Sequence, residues 1–333
     1  MPAEWEPHAA VWLSWPKPDG ISFPERYELI PPVLAEMVGA LAESEEVHIN
    51  VCDPAEEALV RAHLQRVPHA HVRFYHIPTN EPWCRDHGPI FLLRDAAPRR
   101  AIVDWGYNAW GGKYPPYHLD DVVPTKIAAL YNIPLFQNAM VLEGGSIEVN
   151  GEGLLLTTES CLLNPNRNPC LDKTAIEANL RDYLGVHEIF WLGDGIEGDD
   201  TDGHIDDITR FVGRRKVVTV IEPDPKDFNY APLKENLERL QALRCADGGA
   251  LEIITLPMPG RVEWDGQRLP ASYANFYIGN TVVLVPIFGD PADVEAVATL
   301  QACFPDRKAI GINCRDLIWG LGAFHCLSQQ EPA

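Results

Sequence analysis

Gly145-Ser146-Ile147-Glu148-Val149-Asn150-Gly151-Glu152-Gly153-Leu154-Leu155-Leu156-Thr157-Thr158 reads as a β-hairpin. Its apolar runs, 145–150 and 153–158, flank Asn150-Gly151, a dipeptide suited to the positive φ angles of a tight turn. A helical period follows over 172–184, with Asp172 placed to cap the first turn, and a strand over 187–192 ends the unit. Strand, strand, helix, strand is the pattern from which the chain is built.

The pattern recurs on both sides. Upstream, strands over 89–93 and 100–105 precede a helix over 121–132 and a short strand at Ile133-Pro134-Leu135-Phe136. Downstream, 204–212 and 216–221 lead to a helix over 229–244 and a strand over 250–256. Next come 273–279 and 281–288, turned at Gly279-Asn280. A helix over 291–303 then starts at Asp290-Pro291, a cap followed by proline at the first position, before a strand over 307–313. Each unit is roughly 60 to 70 residues long, a period that calls for a repeat architecture.

The N-terminal piece supplies strands at 9–15, 46–52 and 70–76 and helices at roughly 27–42 and 55–66. It lacks one strand. The C-terminal segment Gly320 to Gln330 is the candidate to supply it, because joining the chain ends closes a ring and removes exposed sheet edges. The expected fold is one α/β domain over 1–333, with five ββαβ modules around a pseudo-fivefold axis. An open three-layer sheet fits the regularly spaced antiparallel hairpins less well.

The chain has 333 residues, 46% hydrophobic and 23% charged, as expected of a globular protein with a substantial core. No apolar run approaches a membrane span. The net charge of −21 disfavours nucleic acid and would draw small cations into an acidic cleft. Eight cysteines stand singly, without a Cys-x-x-Cys pair, and the start at Met1-Pro2-Ala3-Glu4-Trp5 has no secretory pattern. That points to reduced thiols in the cytoplasm and away from a zinc ribbon.

Polar clusters interrupt the units at three loops. Asn80-Glu81-Pro82-Trp83-Cys84-Arg85-Asp86-His87-Gly88-Pro89 leads into a strand, and a solvated turn would not need Trp83. An Arg85–Asp86 surface pair is its plain alternative. Glu143-Gly144-Gly145-Ser146 sets two glycines after an acid, which permits close approach of other groups, although an exposed acid at a glycine-rich strand start would look the same.

The last loop is Gly198-Asp199-Asp200-Thr201-Asp202-Gly203-His204-Ile205-Asp206-Asp207. On a strand, His204 and Asp206 would share one side and Asp207 would take the other. The His204/Asp206 pair suits either a metal or proton transfer beside an acid that grips a cation. No second histidine stands at ligand spacing.

Near the C-terminus, Gly320-Leu321-Gly322-Ala323-Phe324-His325-Cys326-Leu327-Ser328-Gln329-Gln330 carries a single thiol. Most free cysteines are small buried hydrophobes, and a nucleophile needs a histidine and an acid from elsewhere. His204, Asp86, Asp206 and Glu143 are such groups. Together they suit attack on a planar cationic carbon: Asp86 and Asp206 would hold a guanidinium bidentately. Cys326 would attack its carbon, and His204, oriented by Glu143, would move the protons. A nearby cation, the guanidinium or protonated His204, would favour the thiolate. Trp83 and Trp110 are candidate walls for an alkyl-ammonium chain.

These residues resemble a known family. Met1 to His8, Trp83 to Pro89, Asp104-Trp105-Gly106-Tyr107-Asn108-Ala109-Trp110-Gly111-Gly112, Leu142 to Ser146, Leu155 to Pro169, Thr201 to Asp206 and His325 to Gln330 are similar to the agmatine deiminases. They also resemble the bacterial peptidyl-arginine-deiminase-like relatives within the guanidine-modifying superfamily. The resemblance implies a pentein-type propeller with Cys326 as nucleophile, His204 as general acid/base, Asp86 and Asp206 on the guanidinium, and Glu143 beside the histidine. It implies conversion of agmatine and water to N-carbamoylputrescine and ammonia through a thiouronium adduct, a step of putrescine and polyamine synthesis. It implies no metal, no organic cofactor, and a homo-oligomer.

By the resemblance, Asp200 takes a position that is usually a glutamate in the family and would lie toward the substrate's far amine, and Cys84 takes one that is more usually aliphatic. Same-class rivals act on peptidyl-arginine or on free arginine, for which Arg167 is the candidate partner of the α-carboxylate. Rivals of other classes are a metal-dependent hydrolase built on His204 and Asp206 and a non-catalytic binding protein.

Overall fold

Asn150 and Asp172 set the local geometry of the repeat. Asn150 Oδ1 accepts from the amides of Glu152 (2.8 Å) and Leu154 (3.0 Å), so the chain reverses over Asn150 to Gly153, a longer loop than Asn150-Gly151 alone. Gly151 has φ +75°, and a Cβ there would lie 2.8 Å from the Ala3 nitrogen, which is why glycine occupies the turn. Asp172 caps the helix Lys173–Leu184 by accepting from Ala175 N at 2.8 Å, and Gly185 ends it in the left-handed conformation. Leu154–Thr158 then pairs antiparallel with Glu148–Val149 and parallel with Glu188–Leu192.

The computed structural model describes residues 1–333, the side chain of His69 apart. The topology of that unit repeats. Arg100–Gly106 lies between antiparallel Ile90–Leu93 and parallel Leu135–Val141. Lys216–Ile221 lies between Thr209–Gly213 and Glu252–Pro257, and Val282–Ile287 between Tyr277–Ile278 and Lys308–Asn313, with the same polarity. The crossover helices are Val123–Tyr131, Tyr230–Ala242 and Asp293–Cys303.

The remaining sheet joins the chain ends. Its order is Ser328–Pro332, His8–Ser14, Glu46–Val51, Val72–His76. The C-terminal strand runs antiparallel to the first, with Trp12 opposite Gln329 and Leu13 opposite Ser328. Trp12 is fully buried and donates its indole N–H to Glu331 at 2.9 Å. Cys326 thus sits just before the strand that completes the first sheet.

The structure differs from the sequence expectations in several respects, and the strands expected over 145–150 and 273–279 shorten to Glu148–Val149 and Tyr277–Ile278. The sheets are separate units, so joining the ends does not merge them into one ladder, and each keeps its edges. The expected strand over 204–212 begins as a 3-10 turn, Ile205–Asp207, and becomes a strand only at Thr209. The helix expected from 291 starts at Asp293, whose own carboxylate accepts from the amides of Phe288, Gly289 and Asp290, so Pro291 precedes the helix. A two-stranded ribbon, Glu263–Trp264 with Gln267–Arg268, was not foreseen.

The core lies where helices cover sheet faces. Val11, Leu13, Val47, Ile49, Leu34 and Val38 are at most 3% exposed, and burial of each such side chain contributes about 1.5–3 kcal/mol. Among the described residues, no helix is long and apolar enough to cross a membrane.

Candidate active site

Cys326 belongs to a single helical turn, Phe324–Leu327, held by Asn275. Asn275 Oδ1 accepts from the amides of Ala323 (3.2 Å), His325 (3.1 Å) and Cys326 (3.3 Å), while its Nδ2 donates to Cys326 Sγ and Asp207 Oδ1, both at 2.9 Å. One amide therefore shapes the turn and directs a donor at the sulfur. Cys326 is 5% exposed and opens into a cleft of about 370 Å³.

Around the thiol stand three buried acids with different states. Asp206 Oδ2 lies 3.6 Å from Sγ and accepts from His325 Nδ1 at 2.6 Å. Burial opposes ionisation of Asp206, but His325, His204 and Arg210 outweigh it and hold its carboxyl below the usual range. Asp207 goes the other way: burial, then Asp206 and Asp199, push it well up, so it keeps its proton. Burial also raises Asp86, with Asp206 and Glu143 adding to the rise. Burial and these acids together push the Cys326 thiol well above its ordinary value, and the free site holds a thiol rather than a thiolate.

Asp86 lies in the short helix Cys84–His87. Its Oδ2 accepts from Trp110 Nε1 at 2.9 Å and its Oδ1 from Gly145 N at 3.0 Å. His204 Nδ1 stands 3.7 Å from Asp86 and 4.0 Å from Asp206. Burial disfavours its charged form, yet Asp86, Cys161 and Asp206 offset this, and the imidazole holds its proton well above the usual histidine range. Both ring nitrogens of His204 and Asp206 Oδ1 are buried without a hydrogen-bond partner, so an acidic, proton-bearing set faces a place for a further polar group.

Gly145 is where these side chains meet. A Cβ at this position would lie 2.6 Å from His204 Nδ1, 2.8 Å from Asp86 Oδ1 and 3.1 Å from Asp206 Oδ2. Gly145→Ala is expected to lower kcat/KM by about a hundredfold, as small displacements of reacting groups do. Steady-state kinetics beside a melting curve checks this, since the change should show in rate far more than in Tm.

The structure brings Cys326, His204, Asp86 and Asp206 together, and Trp83, Trp110 and Asp200 line the same cleft. Trp110 also positions Asp86 through its indole N–H. Asp200 accepts from the Tyr114 hydroxyl. Glu143 lies beside His204, but its hydrogen bond is with Arg167 Nε at 2.7 Å rather than with the imidazole. Arg167 is buried and also bound to Asp202, so it cannot face a substrate carboxylate. Asp207, expected on the opposite side from Asp206, lies beside the thiol because residues 205–207 turn instead of extending.

Sequence reasoning missed Asn275, Asp207 and His325. A lone amide within Tyr273-Ala274-Asn275-Phe276-Tyr277-Ile278 is the signal that would have exposed the first. Two donor sets, Glu143 with Cys161 and His204, and Asp206 with Asp207 and Cys326, are compact enough to hold a metal ion. A chelator assay addresses that alternative directly.

Four acids, Glu81, Asp86, Asp200 and Asp265, line the cleft together with Trp83, Trp110, Trp264 and Trp319. Among the described residues the lining contains no lysine or arginine. The whole arrangement is an anionic, aromatic-walled slot ending at a thiol.

Comparison with known proteins relates the whole chain to one family. The family model of Porphyromonas-type peptidyl-arginine deiminases matches residues 1–332. The agmatine deiminase of Pseudomonas aeruginosa is 39% identical over 358 aligned positions, covering 100% of this chain and 95% of that relative. The solved structure of the Enterococcus faecalis agmatine deiminase superposes with a TM-score of 0.92 at 34% identity, covering 100% of this chain and 95% of that one. A C. jejuni agmatine deiminase variant with substrate bound gives 0.90 at 31%, covering 100% and 96%. With the match running nearly end to end, the chain belongs to the Porphyromonas-type peptidyl-arginine deiminase family of guanidine-modifying α/β proteins.

Proposed function

We propose that this protein is an agmatine deiminase, hydrolysing agmatine to N-carbamoylputrescine and ammonia with Cys326 as nucleophile. The carrying observation is the cleft's charge: four acids and, among the described residues, no cationic side chain line the approach to the thiol. A guanidinium with a second ammonium at its far end suits that lining. The α-carboxylate of free arginine would meet only like charge, and Arg167 is committed elsewhere. The indoles of Trp83 and Trp110 offer faces to the alkyl chain, and Asp200 lies on the same lining for its amine.

Asp86 and Asp206 receive the guanidinium and neutralise it. Its positive charge lowers the pKa of the Cys326 thiol, which releases its proton to solvent as the substrate seats and takes one back when the product leaves, and Asn275 Nδ2 donates to the sulfur. The thiolate adds to the central carbon. His204 gives its proton to one amino group, which leaves as ammonia while the C–N bond breaks and a thiouronium remains on Cys326. Neutral His204 then takes a proton from water, whose oxygen bonds to the same carbon. Collapse of that adduct expels the thiolate and forms the ureido product. The remaining proton leaves with ammonia as ammonium, and His204 is again protonated.

The five sheets of shared polarity support a further reading: blades of a single-domain propeller around a pseudo-fivefold axis, with the site at their shared end. Eight unpaired cysteines are in keeping with a reducing cytoplasm, and a homo-oligomer without nucleic acid or membrane partners completes the proposal.

Purified enzyme incubated with agmatine, arginine or a blocked arginine peptide, with and without chelator, tests the assignment by ammonia and ureido product. Agmatine is expected to lead by at least about a hundredfold, as an unpaired carboxylate facing acids costs about 3 kcal/mol or more. Chelator should leave the rate unchanged. Equal rates on all three substrates would remove the agmatine assignment, and loss of activity on chelation would favour the metal-dependent alternative.

A further inference from the structure

Cys326 is preceded by His325, a fully buried histidine that the reaction above does not use. Its Nδ1 lies 2.6 Å from Asp206 Oδ2 and its Nε2 lies 2.8 Å from Glu4 Oε2. A neutral imidazole has one donor and one acceptor, whereas ionised carboxylates only accept. Glu4 is ionised: burial opposes its charge, but Arg210 at 2.8 Å, His325 and Arg85 at 3.4 Å hold its carboxyl well below the usual range. Asp206 is ionised as well, its carboxyl held down chiefly by His325 against burial. Two acceptors on one ring require two N–H donors.

We propose that His325 is a positioning residue, an imidazolium clamped through both ring nitrogens between Glu4 and Asp206. In this role it keeps Asp206 ionised and fixed in the orientation that serves the guanidinium. The clamp occupies Asp206 Oδ2 and leaves Oδ1 without a partner, beside His204. The Arg85 Nε–H, donating to the His325 carbonyl at 3.3 Å, ties the same unit to the segment that carries Asp86. Glu4 is thereby given a function: the N-terminal segment runs into the centre to anchor the far side of the imidazolium, with Arg210 balancing its charge. His325 touches no substrate. It acts through Asp206.

The effect on turnover rests on the deiminase reading, but the charge state of His325 can be read without activity. In His325→Gln the amide still donates one hydrogen bond but carries no charge, so Asp206 becomes easier to protonate. KM for agmatine should rise and kcat/KM fall by about ten- to a hundredfold, the scale of a lost charge-assisted bond. The acidic limb of the kcat/KM profile, set by the Cys326 thiol, should move to higher pH, because a positive charge is lost beside Asp206 and the neighbouring sulfur. Glu4→Gln should move it the same way by a smaller amount. A purely structural role would lower Tm and leave the limb in place.

The deciding measurement is nitrogen-15 NMR of wild-type enzyme labelled at histidine and assigned through Phe324 and Cys326. Both ring nitrogens of His325 are expected to carry protons at pH 7, as two hydrogen bonds to carboxylate oxygens require. A neutral tautomer at pH 7 overturns the proposal, as does an unmoved acidic limb in a folded His325→Gln enzyme. Absence of ammonia release by wild-type enzyme would instead count against the deiminase reading and leave the imidazolium spectrum interpretable.

Discussion

Cys326→Ala is expected to lower ammonia release from agmatine by about a millionfold, the scale reached when a sole nucleophile is removed from a site that acts as a unit. The thiol is placed for one task. Asn275 shapes the backbone turn beneath it, donates to its sulfur at 2.9 Å, and leaves it at the end of the cleft. No other thiol can substitute among the described residues, since the cleft lining holds no second cysteine. Stability should change little, because alanine fills most of the same small volume and the hydrogen bonds of the turn run through Asn275 Oδ1. Turnover within tenfold of wild type, in protein of unchanged Tm, would assign the chemistry to another group.

The second large effect is at His204. His204→Gln is expected to cost about 10²–10⁴-fold in kcat, the usual contribution of a general acid–base group. Its pH dependence carries the sharper information. Burial and the neighbouring acids raise the Cys326 thiol, so activity climbs as pH rises and that proton is lost more readily. Asp86, Cys161 and Asp206 outweigh burial to raise His204, so its proton is retained past neutrality and activity falls only when it finally leaves. The profile is therefore a bell centred above neutral pH, and His204→Gln should flatten its alkaline limb while preserving the acidic one. Stopped-time ammonia assays across the pH range provide the check. An alkaline limb that persists in the variant would place the second titration elsewhere.

The repeat was legible because hairpin turns, caps and apolar periods are local signals. The Asp172 cap and the strands around residues 154–158 and 216–221 lie within a residue or two of where their patterns place them. Pairing of the C-terminal strand with the first was legible for a different reason, as one strand was missing at one end and one segment spare at the other. Cys326, His204, Asp86 and Asp206, which the fold brings together, were picked out by residue type and by resemblance.

What escaped was long-range and polar. A buried charge looks in sequence like a surface charge, so Glu4, Arg210 and Glu148 gave no sign that they meet in the interior around His325. The turn at Ile205–Asp207 escaped because the apolar residues around it also fit an alternating strand, and that one misreading reversed the side assigned to Asp207. Glu143 was given the imidazole as partner because Arg167 is 24 residues away in sequence, and only folding shows that Arg167 reaches it first.

The central claim is that Cys326 forms a bond to the guanidinium carbon during turnover. Wild-type enzyme mixed with agmatine, quenched in acid within a turnover and digested for mass spectrometry, tests it most directly. The expected result is a transient mass increase on the Cys326 peptide equal to agmatine less ammonia, absent from Cys326→Ala and longer-lived in His204→Gln. Steady ammonia production with no adduct on Cys326 at any quench time, or with the adduct on another cysteine, would contradict the mechanism.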